Sequence, residues 1–182
     1  MLQIVSHHDM KTRRSIGAYY TSNAIAEALA NWAIRLPEDR VLEPSFGGGA
    51  LVLAAFNKLE KLRPNFNPHQ VTGYDTDRVA ESLLQQKLSS RAPKLITADF
   101  LSVCPPAPEV GFDCVIANPP FVRHHRNKDR RFKSRCEELG LPKSADLSSL
   151  FVLHAIRFLR RGGRIAVMRT TRGYRSFGRR LL

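Results

Sequence analysis

The residues with the clearest chemical potential form the run Asn118-Pro119-Pro120-Phe121, which ends an apolar segment. The Asn118 side-chain oxygen and the Pro119 carbonyl are hydrogen-bond acceptors, and the prolines stiffen the turn that would hold them. Aimed at the hydrogens of an exocyclic ring amine such as that of adenine, they would localise a lone pair otherwise delocalised into the ring. Phe121 could stack on the base. The run predicts activation of a ring amine, although alone it also fits a rigid surface turn.

A second group of residues could bind a cofactor. The segment 43–49 (EPSFGGG) follows an apolar run and precedes a helical pattern, so its glycines would let a backbone approach a ligand closely. Val52 stands where the third glycine of G-x-G-x-x-G would be, which weakens a dinucleotide reading. Asp75 could accept hydrogen bonds from two ribose hydroxyls, and Asp99 could accept from an adenine amine with Phe100 against the ring. Taken singly, each acid could equally be a turn or cap residue.

These residues need a scaffold that brings them together, and the hydrophobic pattern predicts one. Apolar runs alternate with stripes of helical spacing, which is typical of a doubly wound, mostly parallel α/β sheet. In such sheets ligands bind outside the carboxyl ends of the strands. The predicted strands are 40–44, 71–75, 94–99, 112–118 and 164–168, and the predicted helices are 23–36, 50–62, 78–90 and 146–160. The helix 23–36 is expected to bury Ile25, Ala28, Leu29, Trp32, Ala33 and Leu36. The candidate residues therefore converge on one edge, and residues 119–144 form a long basic loop beside it.

Positive charge is concentrated in two places. The formal net charge is +13, residues 122–135 carry seven basic side chains against one acid, and residues 157–180 carry nine arginines and no acid. Concentrated charge of this kind suits a polyanion, although an acidic partner protein is the alternative. The basic side chains proposed to hold nucleic-acid phosphates are Arg123, Arg126, Lys128, Arg130 and Arg131.

The order of these motifs resembles the N6-adenine DNA methyltransferases of the gamma arrangement, found in type II and type IIG restriction–modification systems. Residues 17–29 resemble the family's helix-opening motif, except that Ser22 stands where the family usually has proline. The NPPF run resembles its catalytic tetrapeptide, and residues 146–168 resemble the helix and strand that follow. The resemblance implies a Rossmann-like S-adenosylmethionine-dependent fold and catalytic roles for Asn118, Pro119, Pro120 and Phe121. It implies cofactor contacts for Tyr20, Thr21, Glu43, Pro44, Gly47, Gly49, Asp75, Asp99, Phe100 and Asn118.

The resemblance also implies a substrate and partners. The substrate would be an adenine flipped out of double-stranded DNA. The family's sheet has seven strands, whereas five are predicted here. We therefore expect residues 1–182 to form a single truncated catalytic domain, with residues 15–37 as its cofactor-contacting helix region. The target-recognition domain is expected to be absent, so a missing region or second chain would supply it. The alternatives are methylation of RNA or protein glutamine, and a non-catalytic remnant that binds cofactor, DNA or a partner.

Other site classes receive little support from the sequence. Cys104, Cys114 and Cys136 lack zinc or disulfide spacing, and the adjacent histidines His124 and His125 have no third ligand, so no metal site is predicted. His154 falls on an apolar helix face and is expected to be a core residue. No segment is long and apolar enough to span a bilayer or resemble a signal peptide, so a cytoplasmic location is expected.

Overall fold

Five apolar segments form one parallel sheet in the computed structural model, which describes residues 21–88, 91–120, 130–142 and 145–168. The strands are β1 (Val41–Glu43), β2 (Val71–Asp75), β3 (Lys94–Thr97), β4 (Phe112–Ala117) and β5 (Leu159–Val167). Their spatial order is β3-β2-β1-β4-β5, and every neighbouring pair is parallel. The order reverses direction between β1 and β4, which creates the crevice where ligands of doubly wound sheets bind. The predicted fold class is confirmed.

Helices cover both faces of this sheet. They are α1 (Asn23–Ala33), α2 (Ala50–Leu62), α3 (Arg78–Leu88), α4 (Arg130–Glu138) and α5 (Leu147–Ile156). Side chains alternate along each strand, so Cys114 and Ile116 join the core under α1 and α2, whereas Val115 and Ala117 join the core under α5. The carboxyl ends of the strands therefore remain open between two packed layers.

The buried face of α1 differs from the one predicted. Ala26, Ala30 and Ala33 are buried against the first core, whereas Trp32 is 55% exposed. Ile25, Ala28 and Leu36 are also exposed, whereas Ala33 is buried and Leu29 packs against this core. The predicted face was therefore wrong at four of its six positions. Alanines at this contact let the helix axes approach closely, which a stripe of large side chains would prevent.

The basic segment 119–144 contains a helix where a loop was predicted. Helix α4 spans Arg130–Glu138 and buries Phe132 and Cys136 against Leu150 of α5. Because the remaining positions of α4 are mostly charged, its short apolar stripe is not apparent in the composition. The helix attaches part of the basic segment to the start of α5.

The end of α5 and the start of β5 also differ from expectation. Helix α5 ends at Ile156, and the last strand begins at Leu159, well before the predicted position 164. Gly162 has a φ of +73° and lies inside the strand, where the pairing with β4 shifts register between Phe112 and Cys114. Gly162 and Gly163 therefore belong to an irregular stretch of β5 and do not terminate a helix.

An ion pair connects the segment that follows α1 to the last strand. The Asp39 side chain is 1% exposed, and its Oδ2 atom accepts hydrogen bonds from Arg164 Nη2 at 2.5 Å and from the Arg35 amide at 2.7 Å. The amide of Leu36 donates to the same oxygen at 3.1 Å. Asp39 therefore accepts hydrogen bonds from two amides of the segment after α1 and neutralises the guanidinium group of Arg164 in β5.

Two further titratable residues, His154 and Cys114, are buried in the core. His154 is fully buried, its Nε2 lies 3.1 Å from the Val103 carbonyl oxygen, and burial lowers its pKa. This confirms the prediction of a core histidine. Burial is also the largest cause that raises the pKa of the Cys114 thiol to about 12. Among the described residues no group of acids, histidines and cysteines could hold a metal ion, and no helix could cross a membrane.

Candidate functional site

The loop between β1 and α2 is held by the end of β2. Gly47 and Gly49 have φ values of +46° and +79°, a left-handed conformation that glycine adopts without a Cβ penalty. The Gly47 amide donates to Asp75 Oδ2 at 2.7 Å, and Asp75 Oδ1 accepts from the Asp77 amide at 3.0 Å. Asp77 in turn caps α3, since its side chain accepts a hydrogen bond from the Val79 amide. Asp75 therefore shapes this loop as well as lying at the expected strand end.

The loop is poorly suited to a phosphate group. The Gly47 amide is engaged by Asp75, and the Gly49 amide donates to the Phe46 carbonyl oxygen at 2.7 Å. A phosphate cradle needs such amides free to face the anion. The Asp75 carboxylate beside the loop further disfavours a pyrophosphate.

Glu43 is the most unusual residue of the candidate site. Its side chain is 1% exposed, and neither carboxyl oxygen accepts a hydrogen bond of ordinary geometry from the residues that the structure describes, although the Ser45 amide lies nearby. Burial, and then the negative charge of Asp75, raise the pKa of Glu43 well above its ordinary value, while the Ser45 amide lowers it in part. Burying a carboxyl group without partners is costly, so a functional reason is expected. Pro44, the next predicted contact, is also buried.

Asp99 and Phe100, which follow β3, differ in their exposure to solvent. Asp99 is exposed, and its Oδ1 accepts from the Leu101 amide at 3.1 Å, so it caps a short 3-10 turn. Phe100 is only 2% exposed and packs between Phe151, His154 and Phe158. Phe100 is thus packed among other rings, and its contact with an adenine ring remains a prediction.

The turn after β4 is fastened to two other elements. The Asn118 Nδ2 donates to Thr21 Oγ1 at 3.0 Å, and the Ser45 hydroxyl donates to the Asn118 main-chain oxygen at 3.4 Å. Pro119 is buried and Pro120 half-buried. The structure thus brings Thr21, Ser45 and Asn118 together at the edge that also carries Glu43 and Asp75. Ser45 was missed by the sequence reasoning, and its position between Pro44 and the glycines was the available signal.

A cleft of about 290 Å³ lies beside this turn. Most of its wall is apolar, and it runs between the turn, the end of β5 and one face of α5. Its lining residues are Pro119, Leu141, Ser148, Ser149, Val152, Leu153 and Val167. Asp146 caps α5 through the Ser149 amide at 2.7 Å, which confirms the predicted start of this helix and fixes one wall of the cleft.

Several predicted site residues lie outside the described part of the chain, namely Tyr20, Phe121, Arg123, Arg126 and Lys128. Arg130 and Arg131 begin α4, but their side chains are not described. Two nearby cations are paired, since Glu138 accepts from Arg135 at 2.7 Å and from Arg157 at 2.9 Å. The hydrogen bond from Arg157 is the largest cause that lowers the pKa of Glu138.

Comparison with known proteins gives a consistent result. The family model described as N-6 DNA Methylase matches residues 3–173. The type II methyltransferase M.XamI of Xanthomonas campestris pv. amaranthicola is 31% identical over 114 residues, covering 60% of this chain and 20% of its own length. The methylase subunit of the type I restriction enzyme MjaIX from Methanocaldococcus jannaschii is 24% identical, covering 77% of this chain and 26% of its own.

A similar architecture occurs among solved structures. The type IIG restriction endonuclease BpuSI matches with a TM-score of 0.64 and 20% identity, covering 88% of this chain and 21% of the BpuSI chain. At that identity the likeness concerns the fold. The present chain spans between 20% and 35% of the length of the three curated relatives it matches.

Proposed function

The chain belongs to the N-6 DNA methylase family, and from that premise we propose that it transfers a methyl group from S-adenosylmethionine to the N6 amine of adenine in DNA. The proposal includes a role within a restriction–modification system, because the relative MjaIX is named as the methylase subunit of a type I restriction enzyme. Because the relatives are longer, the activity proposed here concerns the cofactor-binding and catalytic part of such an enzyme.

One observation carries the proposal. Asn118, in the turn after β4, is hydrogen-bonded to Thr21 and Ser45 on the same strand edge where Glu43 and Asp75 lie. An amide acceptor for an amine and carboxyl groups for a cation are thus adjacent in a scaffold of methyltransferase type. No histidine or metal is required by this arrangement, because the proposed chemistry depends on positioning and on acceptors that are already in place.

The residues at the strand ends fit S-adenosylmethionine better than a dinucleotide. Glu43 offers two buried carboxyl oxygens without partners, which suits a cationic group, and Asp75 stands where ribose hydroxyls could donate to it. When bound, the cofactor would supply an electrophilic methyl group on its sulfonium. We assign Tyr20, Thr21, Pro44, Gly47, Gly49 and Asp99 as further residues that would surround it.

The chain's own part in the reaction is to bind and orient the target amine. The Asn118 side-chain oxygen and the Pro119 carbonyl would accept its two hydrogens, and Pro120 would keep the turn rigid. Phe121 would stack on the base, and Arg123, Arg126, Lys128, Arg130 and Arg131 would hold the neighbouring phosphates. In this assignment residues 1–182 form one catalytic domain.

The proposal is tested by the identity of the methylated product. The purified chain is incubated with methyl-labelled S-adenosylmethionine and either unmethylated duplex DNA, RNA or protein, and the products are hydrolysed. Label recovered as N6-methyladenine from DNA is the expected result. Label in RNA or in glutamine would replace the substrate assignment, and cofactor binding without label in any of the three would support a non-catalytic remnant.

Replacing Glu43 with glutamine should weaken binding while stabilising the empty chain. Loss of one charged hydrogen bond is expected to lower the affinity for S-adenosylmethionine at least about tenfold, measured by calorimetry at pH 7.5. Folding raises the Glu43 pKa, so the cost of this carboxyl is absent below its ordinary value of 4.5 and grows as the pH rises toward the folded value. The variant should therefore melt at a higher temperature than the parent at pH 7.5 and at about the same temperature near pH 4.5.

The exposed Glu109 provides the matched control. Glu109→Gln removes one carboxylate from the short turn before β4, at the amino end of that strand, and should change neither the affinity nor the pH dependence of melting. A Glu43→Gln variant that binds the cofactor as tightly as the parent would remove Glu43 from the proposed site. A variant that melts at a lower temperature at pH 7.5 would contradict the account of its burial.

A further inference from the structure

The amide group of Asn118 is held by a residue far away in the chain. Its Nδ2 donates to the hydroxyl oxygen of Thr21 at 3.0 Å, across a sequence separation of 97 residues. Thr21 lies two residues before the first residue of α1 and is half-buried. The backbone of Asn118 is fastened separately, because the Ser45 hydroxyl donates to its main-chain oxygen. Side chain and backbone of the same residue therefore have different anchors.

A side-chain amide has two chemically different ends. The oxygen accepts hydrogen bonds and the nitrogen donates them, and a half-turn about the last torsion exchanges the two. A target amine presents hydrogens to the turn, so only the oxygen end can serve it. With Nδ2 bonded to Thr21, Oδ1 is the end that points away from Thr21.

We propose that Thr21 is a positioning residue, whose hydroxyl holds the Asn118 amide by its nitrogen so that its oxygen is presented to the target amine. This inference rests on the proposed function and goes beyond it, because it gives Thr21 a role that does not depend on cofactor contact. A hydroxyl can also donate, so the reversed amide could bond to Thr21 too. That orientation would place the amide N–H groups against the N–H groups of the bound amine. Two donors cannot form a hydrogen bond with each other, so the reversed orientation would be unfavourable once the amine is bound.

Three variants separate this role from a general structural one. Thr21→Val keeps the shape and removes the acceptor, Thr21→Ser keeps the hydroxyl, and Ser82→Ala deletes an exposed hydroxyl on α3, outside the candidate site. Single-turnover methyl transfer should slow about three- to tenfold in Thr21→Val, the effect expected for one neutral hydrogen bond. It should recover in Thr21→Ser and be unchanged in Ser82→Ala, with the dissociation constant for S-adenosylmethionine measured in parallel for each variant.

A readout independent of activity is the NMR signal of the amide itself. The Asn118 side-chain NH₂ pair is identified in ¹H–¹⁵N spectra by its loss in Asn118→Asp. The proton bonded to Thr21 should shift upfield in Thr21→Val, return in Thr21→Ser, and show a nuclear Overhauser contact with the Thr21 methyl group in the parent chain.

The outcomes distinguish this inference from the proposed function. An amide signal that is indifferent to Thr21→Val overturns the inference, whatever the chain methylates. A loss confined to cofactor affinity, with the transfer rate unchanged, also overturns it and leaves Thr21 as a cofactor contact only. If the amide signal responds as expected but the parent chain methylates no adenine, the anchoring of Asn118 by Thr21 stands and the proposed function fails.

Discussion

Replacing Asn118 with alanine is expected to slow methyl transfer to adenine by about 10²–10³-fold, the usual cost of removing one preorganised polar group from an active site. The side-chain oxygen is one of the two acceptors proposed to activate the amine, and it lies on a turn fixed by Pro119 and Pro120. Affinity for S-adenosylmethionine should change little, because Glu43 and Asp75 remain. Single-turnover rates with saturating cofactor, measured beside cofactor binding, check both expectations.

Asn57 supplies the control for this substitution. It is exposed on α2, outside the strand-end edge, so Asn57→Ala should transfer methyl groups at the parental rate. Should Asn118→Ala retain more than about a tenth of the parental rate, the turn would not be the catalytic element. If Asn118→Ala instead lost the cofactor altogether, its main role would be in binding.

Replacing Asp39 with alanine is expected to lower the free energy of unfolding by about 3–5 kcal/mol. The substitution leaves the guanidinium of Arg164, which is 16% exposed, without its counter-charge. It also deprives the amides of Arg35 and Leu36 of their acceptor. Because a domain of this size has only about 5–15 kcal/mol of stability, urea unfolding at pH 7 should show a large shift of the midpoint.

The neighbouring residue offers an exposed comparison. Glu38 pairs with Arg63 at 3.6 Å, and both side chains are more than half exposed. Glu38→Ala should therefore cost no more than about 1 kcal/mol. If Asp39→Ala and Glu38→Ala lowered the free energy of unfolding by similar amounts, the ion pair between Asp39 and Arg164 would not have the stabilising role inferred from its burial.

The parts of the fold that follow local patterns were predictable from the sequence. Apolar runs bounded by turn residues located all five strands, and the acids and the Asn118 turn were expected at their carboxyl ends because parallel strands share that edge. Their conformation was harder to predict. Asp99 caps a turn and Phe100 joins the core, since a carboxylate and a ring at a strand end can face the protein as easily as a ligand.

The features that were missed depend on contacts between distant segments. The choice of Ala26, Ala30 and Ala33 as the buried face of α1 depends on how closely α2 approaches, which no local periodicity records. Likewise, the pairing of Asp39 with Arg164 joins residues separated by 125 positions. Helix α4 was not predicted because Phe132 and Cys136 are the two apolar residues in an otherwise polar and charged sequence.

The sheet order also has a kinetic consequence. Strand β4 pairs with β1, although β2 and β3 lie between them in the chain, and the bond between Asn118 and Thr21 spans 97 residues. Contacts of such high sequence separation form late in folding, because the entropy of closing long loops must be overcome first. We therefore expect the Asn118 turn to reach its anchors later than the Gly47 loop reaches Asp75, which lies 28 residues away in the chain. The part of the chain proposed to hold the cofactor would then take shape before the part proposed to activate a base.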